Sequence, residues 1–255
     1  VNESESAVGR QVWGPWATAG FGLAVGVVFL VTQVVVLGVF AAVKSASDPH
    51  FDPSQLVEDG GVNGLVLVLG SYATTLLCLG LIFIIVRRRK GATIAGYLAL
   101  RPIPWKTFSG LLALTAGFVI LSDGLTYLLG RSIVPQFQVD GYRTCGWPPL
   151  LWIAVVLAGP AFEEIFFRGF LFEGFRRSPL GDTGTVALTA LAWALVHLQY
   201  DVYQMTIILA LGVLLGVVRL KTGSVWSCFL VHAFYNLVST IWTMLCVHGL
   251  GSWWQ

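Results

Sequence analysis

Val155-Val-Leu-Ala-Gly-Pro-Ala-Phe-Glu-Glu-Ile-Phe-Phe-Arg-Gly-Phe-Leu-Phe172 is an apolar run broken by two adjacent glutamates, Glu163 and Glu164, and by Arg168. Extended back to Pro149, it reaches the ~20 residues that a membrane-spanning helix needs. Three ionisable groups in such a helix cost roughly 2.5–3.5 kcal/mol each on the lenient insertion scale, so they are expected to face protein or a wet cavity rather than lipid. Glu163 and Glu164 are successive helical residues and point about 100° apart, so they are not equivalent. Glu164 and Arg168 are four apart with the acid first, the favourable order for an ion pair on one face. Glu163 is thereby left without a local partner and free to accept a proton, as a general base must. The alternative is a structural ion cluster that pins helices together. Gly159-Pro160, just ahead of the pair, is expected to loosen the helix and free a backbone carbonyl.

The rest of the chain has the same character. It has 255 residues, 56% hydrophobic and 11% charged, where a soluble domain has about 25% charged residues. An all-α polytopic bundle is the implied fold class. Seven apolar segments are long enough to span, or nearly so: Trp16–Val43, Gly64–Val86, Thr107–Gly130, Pro149–Phe172, Thr183–Leu198, Val202–Val218 and Val225–Val247; an eighth is allowed for. Residues 1–148 would supply three helices with loops, and residues 149–255 the four that carry the polar motifs, all in one bundle. Lys44–Gly61 and Gly130–Pro148 read as loops, and Gln199-Tyr-Asp201 as the turn of a tight helical hairpin.

Lys and Arg distribute unevenly over alternate loops. Arg10, Arg87, Arg88, Arg89, Lys90, Arg101, Lys106, Arg176, Arg177, Arg219 and Lys221 fall on one side, against Lys44, Arg131 and Arg143 on the other. Basic loops stay in the cytoplasm, so the N-terminus is expected inside a cytoplasmic membrane and the C-terminus outside. A net charge of +2 gives no reason to expect nucleic acid as a partner. Cys78, Cys228 and Cys246 lie in apolar segments and Cys145 in a loop, with neither metal-ligand spacing nor a disulfide framework. The first residues lack the pattern of a signal peptide, so none is expected.

Two further segments carry polar side chains at helical spacing. His197 follows Trp193 by four residues, which puts ring and imidazole on one face. His232 and Asn236 are also four apart. An imidazole and a carboxamide side by side are donors of the kind that stabilise an oxyanion; the plainer reading is one interhelical hydrogen bond. His-Glu-x-x-His, Gly-x-Ser-x-Gly and Walker-type glycine loops are all missing from the sequence.

Glu163-Glu164-x-x-x-Arg168, Trp193-x-x-x-His197 and His232-x-x-x-Asn236, in that order on separate membrane segments, resemble the motifs of the CAAX-protease and bacteriocin-processing (Abi) family of intramembrane endopeptidases. The resemblance covers about Pro149–Val247, and Arg101-Pro102 looks like the family's lead-in. Trp193 stands where the family's second motif usually opens with phenylalanine. The resemblance implies that Glu163 activates a water with help from His197, that His232 and Asn236 form an oxyanion hole, and that Glu164 and Arg168 support them. Such enzymes have been described as metal-dependent, and two Glu with two His could in principle hold Zn²⁺. Because the two glutamates diverge and an asparagine stands at the hole, the expectation is a metal-free protease with no cofactor. It would cut a peptide or protein, lipidated or not, near the cytoplasmic leaflet. The rival is a non-catalytic scaffold, immunity protein or accessory subunit that works with a partner in a larger membrane complex. A transporter finds no support, since no matched pair of broken helices occurs in two halves.

Overall fold

The computed structural model describes residues 12–53 and 63–250, which form helices and no strands. Nine helices follow in order among the described residues: α1 Pro15–Ser47, α2 Gly64–Arg87, α3 Ile94–Tyr97, α4 Trp105–Leu128, α5 Gln136–Thr144, α6 Pro148–Phe175, α7 Gly181–Leu195, α8 Val202–Thr222 and α9 Val225–Val247. All of them except α3, α5 and α7 are long and apolar enough to cross a membrane. The chain is an all-α polytopic membrane protein. Arg10 and residues 54–61 of the stretch expected as a loop lie outside the described residues.

Local chemistry sets several boundaries. Asn63 caps α2, its side chain accepting from the Leu65 and Val66 amides at 3.0 and 3.3 Å. Asp201 caps α8 and exchanges hydrogen bonds with Gln204, a reciprocal capping box. Gly223 ends α8 with φ at +65°, the left-handed conformation that glycine adopts without strain. Pro148 opens α6, where its missing N–H costs nothing.

Three sequence expectations change. The fifth apolar segment, expected at Thr183–Leu198, is the 15-residue α7. At 1.5 Å per residue it is about 22 Å long, short of a ~30 Å hydrocarbon core. The stretch Gly130–Pro148 is not all loop: α5 buries Val139 and Tyr142 against α2 and α9. Arg219, counted above as a loop charge, lies within α8 and is buried, so it belongs to the interior.

The helix α6 sits at the centre. Every residue from Glu164 to Gly174 is buried, and α1, α2, α7, α8 and α9 all pack on it. The enclosed half reads as apolar on all sides apart from Glu164, Arg168 and Glu173, while Ile153 and Leu157 in the first half are exposed. By contrast, α1 exposes Leu23, Leu30, Val34 and Val43, side chains that suit a lipid-facing surface. Helices α7 and α8 make the closest pair. A Cβ on Gly216 would lie 2.8 Å from Val186 and one on Gly212 3.1 Å from Ala190, so the pattern Gly212-x-x-x-Gly216 lets the backbones approach.

Candidate active site

The site is built where α6 departs from α-helical winding. Residues Ala154–Ala158 and Glu164–Leu171 are π-helical, an arrangement found mostly as single turns at functional sites. Pro160 explains the first. Gly159 sends its N–H to Ala154 O, five residues back, and Pro160 has no N–H to give. The carbonyl of Val155 is thereby released from the ladder. It is taken by Asn236 of α9, whose Nδ2 donates to it at 2.8 Å.

The two glutamates diverge as their adjacency requires. Glu164 is completely buried. Its Oε1 accepts from Arg168 Nη1 at 3.1 Å and from His232 Nδ1 at 2.9 Å. Arg168, equally buried, also donates from Nη2 to Gly212 O at 3.2 Å, and its guanidinium lies 4.6 Å from the centre of the Trp193 ring. Glu163 faces the other way, into a cavity of about 310 Å³. Its carboxylate accepts a short hydrogen bond from the indole N–H of Trp193.

Glu163, His197, His232 and Asn236 all line that one cavity, contributed by α6, the end of α7 and α9. Neither Glu164 nor Arg168 does; they stand behind it. Trp193 links three of the four, Glu163, His197 and His232. Its ring meets the imidazoles of His197 and His232 edge-on, each with centroids 5.1 Å apart, and its carbonyl holds His197 Nδ1 at 2.7 Å. A carbonyl only accepts, so Nδ1 of His197 carries the proton and Nε2 is left as an acceptor. Glu164 likewise fixes a proton on Nδ1 of His232. Nε2 of that ring can donate only when the ring is doubly protonated, a charge that Glu164 faces directly.

Sequence reasoning placed the Trp193 ring on one face with His197 and missed its N–H as the partner of Glu163. It missed a second buried ion pair as well. Arg219 of α8 donates from Nη2 to Glu173 Oε1 and from Nε to the Arg168 carbonyl at 2.9 Å. The signal was Glu173 and Arg219 themselves, acid and base within apolar helices but 46 residues apart.

The residues do not fit the zinc site that two Glu and two His would suggest. Glu164 is committed to Arg168 and His232, and among the described residues no group of three or more His, Cys, Asp or Glu could share one ion. Asp123 of α4, at another part of the cavity wall, accepts from Trp242 Nε1 at 3.1 Å and ties α4 to α9.

The cavity occupies one half of the bundle. It runs from Glu163 and His232 to Gln138 on α5, Tyr200 in the α7–α8 turn and Thr243 on α9. No residue of the segments 87–106, 176–182 or 219–224 lines it. Tyr200 lies along the imidazole of His197 with centroids 6.2 Å apart; burial pushes its hydroxyl above the usual tyrosine range, and the charge of Glu163 adds to this.

A search of curated proteins and one of solved structures each find no match to the chain. Residues 145–238, which include every residue of the three motifs, match the family model described as type II CAAX prenyl endopeptidase, Rce1-like. Residues 145–238 are therefore similar to the Rce1-like CAAX endopeptidase family, which the three ordered motifs also resemble.

Proposed function

We propose that the chain is an intramembrane endopeptidase of glutamate type, in which a water held between Glu163 and Nε2 of His197 attacks the peptide carbonyl. Glu163 takes the water's proton as the oxygen–carbon bond forms, and returns it to the amine nitrogen as the carbon–nitrogen bond breaks. The negative charge on the carbonyl oxygen is met by the second N–H of Asn236 Nδ2, the first being engaged by Val155, and by Nε2 of a doubly protonated His232. Trp193 orients the base. Glu164 and Arg168 orient His232 from behind and touch no substrate.

One observation carries this reading. Four side chains from three segments, α6, the end of α7 and α9, converge on a single cavity, while Glu164 and Arg168 are sealed away from it. A structural ion cluster needs the buried pair but has no use for a carboxylate aimed into a cavity against two imidazoles and a carboxamide.

The test is cleavage of an internally quenched peptide library by the purified full chain in detergent, beside Glu163→Gln. Cleavage by the wild type that is lost in a folded Glu163→Gln protein supports the assignment. Equal turnover by the variant overturns it. A folded wild type that cleaves no member of the library favours the scaffold or accessory role.

A further inference from the structure

Resting on that reading of the site, we infer that its cavity opens to the non-cytoplasmic side of the membrane, so that the substrate is a polypeptide segment exposed on that face. The first observation is the cavity wall. Beyond the converging catalytic candidates it is made by the outer half of α9 from Ser239 to Thr243, by Gln138 on α5, and by Gln199 and Tyr200 of the α7–α8 turn. All of these lie toward one end of the bundle. The second observation is charge. That end carries Lys44, Arg131 and Arg143, and Arg131 is engaged with Asp201 at 3.1 Å. The opposite end carries Arg87, Arg88, Lys90, Arg101, Lys106, Arg176, Arg177 and Lys221. Even with Arg219 withdrawn to the interior, the asymmetry is large, and the basic end remains in the cytoplasm.

A third observation closes the other route. Between the site and the basic end lie the Glu164–Arg168 pair and, joined to it through the Arg168 carbonyl, the Arg219–Glu173 pair. Phe170, Phe172 and Leu215 fill the space around them and are wholly buried. A peptide approaching from the cytoplasm would have to break both of these buried ion pairs and leave their charges stranded in a low dielectric. From the other end it meets the polar wall of Gln138, Ser239 and Thr243. The wall includes two carboxylates, Asp123 and Glu163, and no Lys or Arg. Apart from the imidazoles of the site itself, it offers no cation to a free C-terminal carboxylate, so it suits a segment cut away from its chain end. The expectation of cleavage near the cytoplasmic leaflet, drawn from the resemblance, is replaced by cleavage reached from outside.

Cysteine accessibility tests this without requiring activity. The native cysteines at 78, 145, 228 and 246 are all buried, so background labelling is low. Gln199→Cys at the mouth, Ser239→Cys in the wall and Lys221→Cys at the basic end are treated with a charged, membrane-impermeant maleimide in intact cells and again after permeabilisation. Gln199→Cys and Ser239→Cys should label in intact cells, and Lys221→Cys only after permeabilisation. Should the wall substitution disturb the fold, the exposed turn position Gln199→Cys reads the side alone. The reverse pattern overturns the inference. Because labelling needs no turnover, failure of the proteolytic reading and failure of the sidedness are told apart.

Discussion

Trp193 donates its indole N–H to Oε2 of Glu163. The same ring takes the guanidinium of Arg168 against its face and packs edge-on with the imidazoles of His197 and His232. One side chain therefore contacts four of the six polar residues of the three motifs. A phenylalanine could keep the ring contacts but has no proton to give. Trp193→Phe is expected to lower kcat about 10- to 100-fold, the worth of a hydrogen bond to a charged group at roughly 1.5–3 kcal/mol. Denaturant unfolding should move little, and Trp193→Ala should lose both activity and stability. Wild-type kcat in a folded Trp193→Phe would show that the hydrogen bond does not matter.

The neighbouring glutamates should fail in different ways. Glu163→Gln leaves the helix packing intact and removes the base, a loss of about 10²-fold or more in turnover. Glu164→Gln removes the negative charge that Arg168 and His232 share and should destabilise by about 3–5 kcal/mol, as breaking a buried pair does. Kinetics and unfolding midpoints measured on both variants separate the two. Equal stability loss in both would remove the distinction.

Asn236 has two partners to lose. Asn236→Ala withdraws a donor from the developing oxyanion, about 10²–10³ in turnover. It also orphans the Val155 carbonyl, about 1–3 kcal/mol of stability. Strong chelators should leave the wild type active. Activity abolished by chelation, restored by zinc and indifferent to Asn236→Ala would make the enzyme metal-dependent and the proposed chemistry wrong.

Arg219 and Glu173 should matter for folding and not for chemistry. Glu173→Ala strands the buried Arg219 and should destabilise by about 3–5 kcal/mol, whereas Arg219→Ala leaves Glu173 beside Arg176 and Arg177 at 3.8 and 3.7 Å and should cost less. The double substitution should cost less than the sum of the two. A double-mutant cycle on unfolding free energy measures that coupling, and kcat of the folded fraction should stay near the wild-type value. A fall in kcat without a fall in stability would place the pair in the reaction.

The different positions of the two glutamates were legible because local spacing decides them: adjacency separates Glu163 from Glu164, and a four-residue step joins Glu164 to Arg168. The freed carbonyl was legible from Gly159-Pro160, though not its partner, since Asn236 lies 81 residues away from Val155. Periodicity says which face a side chain shares and is silent on which of its atoms reaches across, so the indole N–H of Trp193 stayed hidden. Helix α7 was read too long because Val196 and Leu198 continue the apolar run after the backbone has turned at Val196. Helix α5 was read as loop because Val139 and Tyr142 are too few to make a pattern. Arg219 passed for a loop charge because it stands just before Gly223, and only the tertiary fold brings it to Glu173.

The π turns of α6 make the length of this helix as consequential as its composition. Between Glu164 and Leu171 the helix is wound more widely than an α-helix, and the phase so set lets Glu163 and Glu173 serve different partners on different sides. Inserting one further residue there would exceed what the wide turn already accommodates and would rotate everything beyond it by about 100°. Glu173 would swing off Arg219 while Glu163 kept its cavity. A deletion in the first π turn would instead carry Val155 away from Asn236. Conservative exchanges among Ile165, Phe166 and Leu171 should be absorbed by repacking, but a frame change of a single residue should not. Helix α6 works as a ruler, and its graduations cannot be respaced.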